Sequence, residues 1–186
     1  MQEVSASVMN SHQTTIWAFA LALTFVAGWL DWGTRRIPNW LTVSGALAGL
    51  ALHSWMAGWR GALTAFEGAG LALIILLPLV LMRALGAGDW KLMGGVGAIL
   101  GPGMFLFVLL ASVFVSGLMA VVLLVQAKRV KTTLRNLAVL VHGFFSFGLR
   151  AHPEISLDNP RLLKLPFGVA AAVGTLICFL AARWGV

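Results

Sequence analysis

Apolar runs of about 15 to 22 residues, divided by short polar breaks, recur from Ile16 to Ala182, and about 20 residues carry a helix across a hydrocarbon core of roughly 30 Å. The runs are continuous and do not alternate, so they predict helices and exclude the period-two pattern of a membrane barrel. Spans are expected near Ile16–Leu30, Trp40–Met56, Gly68–Met82, Trp90–Gly103, Met104–Val125 and Pro166–Ala182. The predicted fold class is therefore all-α, a polytopic helical membrane protein with about six transmembrane helices. It forms one domain over residues 1–186, with an N-terminal tail at 1–15 and a cytoplasmic loop at 126–165.

The fourth span is short and carries Gly94, Gly95, Gly97, Gly101 and Pro102. Hydropathy alone would discard it, but charge retains it. With the N-terminus outside, Arg35, Arg36, Arg83, Lys91, Lys128, Arg129, Lys131, Arg135, Arg150, Arg161 and Lys164 all fall inside, and only Arg60 and Arg183 fall outside. That is the positive-inside distribution. Without the fourth span, the basic residues from Lys128 to Lys164 would move to the outer side, against the same rule. Within the 126–165 loop, Arg135, His142, Ser146 and Arg150 recur opposite Leu134, Leu137, Val141, Phe144 and Phe145, the pattern of a helix lying along a membrane surface.

Composition agrees with a bilayer environment. Hydrophobic residues make up 60% of the chain and charged residues 10%, at a mean hydropathy of +0.93, too apolar for a soluble domain of this size. The net charge of +7 is spread between apolar runs and not gathered on one soluble face, so topology explains it and no nucleic-acid partner is expected. The first fifteen residues hold no Lys or Arg, so no cleavable signal peptide is expected. The single cysteine, Cys178, lies within the last apolar run and can build neither a disulfide nor a cysteine metal site.

Only six acidic residues occur: Glu3, Asp31, Glu67, Asp89, Glu154 and Asp158. Asp31 and Asp89 alone stand at the cytoplasmic ends of apolar segments, where an ionisable group is expensive and marks a candidate site. Each taken singly could be a helix-end charge answered by Arg35, Arg36 or Lys91. Two at one depth fit a carboxylate pair sharing a proton, in which one group activates a water and the other protonates the scissile carbonyl or the leaving amine. Other chemistries are poorly supplied. His12, His53, His142 and His152 are dispersed without metal-ligand spacing, so they are expected to be structural or interfacial and no metal is expected. No G-x-S-x-G elbow is present. Gly86-Ala87-Gly88-Asp89 lacks the rest of a phosphate loop.

Gly86-Ala87-Gly88-Asp89-Trp90-Lys91-Leu92 resembles the GxGD-x-K-L signature of the type IV prepilin peptidases. Arg36-Ile37-Pro38-Asn39 after Asp31 is similar to the Ile-Pro-Asn that follows that family's first catalytic aspartate, and Leu165-Pro166-Phe167-Gly168-Val169-Ala170 is similar to the start of its last span. The resemblance runs from about Ala27 to Gly174. It implies an aspartic endopeptidase with Asp31 and Asp89 as catalytic residues, no cofactor, and Gly86, Gly88, Lys91, Ile37, Pro38 and Asn39 in support. The glycines would admit an extended substrate beside Asp89. Pro38 and Asn39 would fix and cap the start of the second span. Lys91 would act electrostatically on an aspartate, bind a substrate carboxylate, or simply anchor the chain at the membrane surface.

The larger bifunctional members of that family carry an extra cytoplasmic domain with two cysteine pairs and also methylate the mature pilin. Here the first aspartate motif follows span one directly, as in the short peptidases of tight-adherence pili. The resemblance therefore implies a multi-pass protein of the bacterial inner membrane that cuts leaders from Flp-type prepilins and pseudopilins at the cytoplasmic face, without methyl transfer. Pilus assembly machinery is then a further expected partner, beside substrate and lipid. Archaeal preflagellin peptidases share the aspartate pair and remain an alternative within the same chemistry. Outside it, a small transporter or channel could use the same carboxylates to bind cations or relay protons.

Overall fold

A computed structural model of the chain describes residues 11–126 and 165–185. Within them lie four helices: α1 (Ser11–Thr34), α2 (Asn39–Leu81), α3 (Ala87–Gln126) and α4 (Phe167–Trp184). Each is long and apolar enough to cross a membrane, so the all-helical membrane class holds. The expected count of about six separate helices is corrected to four. The second and third expected spans are joined in α2, and the fourth and fifth in α3. The surface helix expected within 126–165 lies outside the described residues.

The junctions explain the difference. At 43 residues, α2 would be about 65 Å long if straight, twice the hydrocarbon core. It is broken at Ala57 (φ −139°, ψ 17°) and Gly58 (φ 58°, ψ −137°), and α3 is broken at Gly101 (φ 73°, ψ 171°), directly before Pro102. The positive φ at Gly58 and Gly101 is readily adopted by glycine and disfavoured for residues with a Cβ. The chain folds back at both breaks. Gly49 and Gly68, on opposite sides of the first break, both pack against residues 97–99. Leu23 touches Gly95 before the second break, and Ser112 after it meets Gly174 of α4. The breaks take only one or two residues, so no separate loop stands between the legs of either helix.

The first leg of α3 forms the centre. Every residue from Leu92 to Gly101 is buried, with Leu92, Met93 and Val96 fully enclosed. Glycine makes this burial possible, because in lipid helices associate through close backbone approach and not through expulsion of water. Gly68 faces Gly97 directly, and a Cβ on Gly49 would lie within 2.7 Å of three backbone atoms of Ala98 and Ile99. Gly49→Ala is therefore expected to lower stability by about 1–3 kcal/mol. It should show as a reduced thermal unfolding midpoint in detergent. Gly70→Ala, where the added methyl meets nothing within 4 Å, should leave the midpoint unchanged.

Large apolar side chains point outward, among them Phe25, Ile74, Phe107, Leu110 and Phe114, as expected where lipid replaces water. Exposed tryptophans fall in two groups: Trp29, Trp32 and Trp40 around the α1–α2 connection, and Trp55, Trp59 and Trp184 at the opposite end. They match the aromatic belts that mark the two interfaces of a bilayer. His53 stands near the second belt and its Nε2–H donates to the Ile99 carbonyl at 2.9 Å. That carbonyl lies beside the Gly101 break, where the helical ladder is interrupted, so the histidine serves structure.

Helix directions bring four chain segments to the first belt. α1 and α4 run antiparallel, with Gly28 against Gly168 and Ala172 at one end and the Trp17 and Phe179 rings 6.0 Å apart at the other. The end of α1 therefore meets the starts of α2, α3 and α4. Both motif aspartates lie at this end.

Candidate active site

Asp31 occupies the last turn of α1. Its carboxylate is buried, 6% exposed, and Oδ2 accepts a hydrogen bond from the Gly168 backbone N–H at 2.8 Å. That donor belongs to the first turn of α4, where N–H groups have no partner within their own helix. The fit is tight: a Cβ at residue 168 would lie 3.0 Å from the Asp31 Cβ and 3.2 Å from Oδ2. Arg35, one turn further on, stands within electrostatic reach of the same carboxylate. Its backbone N–H closes α1 onto the Asp31 carbonyl at 3.0 Å.

Asp89 stands in the first turn of α3 and is half-buried. Its carboxylate accepts from the Gly86 backbone N–H and lies close enough to Asp31 for the two charges to repel. Both carboxylates are thus held by main-chain amides at helix starts, groups that favour anions and that side-chain motion cannot withdraw. Glu67, the other acidic residue among the described residues, lies elsewhere. It is exposed on the second leg of α2, next to the Gly68–Gly97 contact deep in the bundle.

The supporting residues gather around the pair, though not all as expected. Gly88 packs on Ile37, where a Cβ would lie 3.3 Å from the Ile37 Cβ, and Gly86 lies beside the Asp89 carboxylate. Pro38, in extended conformation (φ −72°, ψ 144°), occupies the cap position of α2, and no side chain caps that helix. The expected capping role of Asn39 is therefore corrected. Asn39 is already helical, and its Oδ1 accepts from Lys91 Nζ at 3.0 Å. The Lys91 ammonium is thereby directed across to α2.

Gly168 is the participant that sequence reasoning did not rank among the site residues. Its signal was present in Leu165-Pro166-Phe167-Gly168, but a backbone donor leaves no trace in residue chemistry. Two carboxylates held at one membrane face are able to share a proton, with one group polarising a water while the other donates to a carbonyl oxygen.

Comparison with curated proteins and with solved structures gave no match. The family model described as the type IV leader peptidase family matches residues 18–121. That stretch takes in most of α1, all of α2 and most of α3, with both aspartates and every supporting residue named above except Gly168. It covers more than half of the chain, and the protein belongs to the type IV leader peptidase family.

Proposed function

We propose that this membrane peptidase is an aspartic endopeptidase in which Asp31 and Asp89 together cut the leader from type IV prepilins and pseudopilins of the Flp type, at the cytoplasmic face of the bacterial inner membrane. The observation that carries the reading is the convergence of these two carboxylates at the helix ends, each held by a backbone amide. In the proposed step one carboxylate takes a proton from a water, and that water attacks the scissile carbonyl carbon. The other carboxyl gives its proton to the carbonyl oxygen. Collapse of the tetrahedral intermediate breaks the C–N bond, and the amine leaves with the proton held by the first group.

The basic residues support the cytoplasmic orientation, since Arg35, Arg36, Arg83 and Lys91 share the dyad's end of the bundle. A substrate with its apolar segment in the bilayer and a polar leader at the interface matches a site beside Trp29, Trp32 and Trp40. Membership of a peptidase family argues against the transporter reading. The single cysteine supports cleavage without methylation, because the paired cysteines of the bifunctional enzymes have no counterpart in this sequence.

Incubation of the purified protein with an Flp-type prepilin and labelled S-adenosylmethionine tests the proposal, with mass spectrometry of the product. The expected result is a shortened pilin with an unmodified N-terminus. An uncut prepilin contradicts the peptidase assignment to this substrate class, and a methylated product contradicts the single function.

A further inference from the structure

Three successive contacts fix the turn that carries Asp89. Gly88, directly before it, lies against Ile37. Trp90, directly after it, donates its indole N–H to the Leu73 carbonyl at 2.9 Å. Lys91 follows, with Nζ donating to Asn39 Oδ1 at 3.0 Å. The Leu73 contact ties the start of α3 to the second leg of α2. The Ile37 and Asn39 contacts tie it to the segment that leads directly from Asp31.

That segment is short and stiff. Only residues 35–38 separate α1 from α2. Arg35 is in the left-handed region at φ 54° and Pro38 is fixed near φ −72°. A displacement of Asn39 is therefore passed along the connection to the end of α1, where Asp31 stands. We infer that Lys91 is a positioning residue: its ammonium acts through Asn39 to hold the start of α3 against the start of α2 and so sets the separation of Asp31 and Asp89. The inference rests on the dyad proposed above.

The residue types suit the task. Lysine supplies a long donor that reaches between helices from the surface. Asparagine supplies an oxygen that receives it without adding a third carboxylate beside two that already repel. An exposed hydrogen bond contributes little to folding, so its loss should leave an inserted protein whose carboxylates no longer meet correctly. Small displacements of reacting groups are costly, up to about a hundredfold in rate for roughly 1 Å.

The test is a double-mutant cycle on purified protein with an Flp-type prepilin, using Lys91→Met, Asn39→Leu, their combination and Lys91→Arg. Each single change is expected to lower kcat about tenfold to a hundredfold, with KM within about twofold of the wild type. The double variant should be no worse than the more damaging single one, and Lys91→Arg, which keeps a donor, should recover most of the rate. Four results overturn the inference: a raised KM with kcat retained, losses that multiply in the double variant, loss of inserted protein in place of turnover, or unchanged turnover in Lys91→Met. Asp31→Asn and Asp89→Asn run in the same series separate the two levels. Cleavage that persists in either removes the dyad and this inference together, whereas multiplying losses beside two dead aspartate variants remove the positioning role alone.

Discussion

Gly168→Val is expected to lower leader cleavage by more than about a hundredfold per inserted molecule. The first atom of any side chain at this position meets the Asp31 Cβ at 3.0 Å, the Ala27 carbonyl oxygen at 3.1 Å and Asp31 Oδ2 at 3.2 Å. A single methyl is accommodated if these neighbours yield by a few tenths of an ångström. The two further methyls of valine require α4 to move away from α1. The Gly168 N–H then leaves Oδ2, and Asp31 loses the hydrogen bond that orients it. Gly168→Ala should accordingly show a smaller loss, about tenfold, which makes the series graded. Steady-state cleavage normalised to the protein recovered from the membrane checks it. Wild-type turnover in Gly168→Val would separate α4 from the site. The prediction extends the functional unit beyond residues 18–121, where the family match lies.

How much of this was legible in the sequence varied with the physical signal. Asp31 and Asp89 stood out because acidic residues are few and hydropathy reports depth, so composition and position together singled out a pair that the fold brings to one end. The helical membrane class followed from the apolar runs for the same reason. The reversal between α2's two legs was legible as a break between Met56 and Gly68, but its tightness was not, since residues 59–67 are themselves helical. A reversal made by Ala57 and Gly58 removes no apolar residues from the run, so two expected helices appear as one broken element. The Gly101 break acts likewise in α3.

The segment of least convincing hydropathy, Leu92–Gly101, turned out to be the most enclosed part of the bundle. Its glycines lower the hydropathy signal and at the same time let its neighbours close upon it. A scale that rewards large side chains therefore undervalues the helix at the centre of a membrane bundle. Contacts between motifs were hidden for a different reason. Asn39 follows a proline at a helix start and so suggests a cap, yet its side chain is turned to Lys91, a partner 52 positions away. Gly168 was hidden more completely, since what it offers Asp31 is a main-chain N–H and the absence of a Cβ.

Cleavage by this dyad requires the two carboxyls to work as one unit. Asn keeps the shape of Asp and can accept or donate hydrogen bonds, but it cannot take up a proton from water or hand one to the leaving group. In a coupled pair the shared proton belongs to both groups, so either substitution removes the proton acceptor and its partner together. Asp31→Asn and Asp89→Asn are therefore each expected to reduce cleavage to background, and the double variant should be no worse than either. Glu67→Gln, on the exposed second leg of α2, should keep most of the activity and serves as the control. The deciding measurement is the rate of leader cleavage by each purified variant, scaled to its inserted level in the membrane. Background turnover at wild-type abundance in both aspartate variants is the predicted result, and near-normal cleavage in either one contradicts the aspartic dyad.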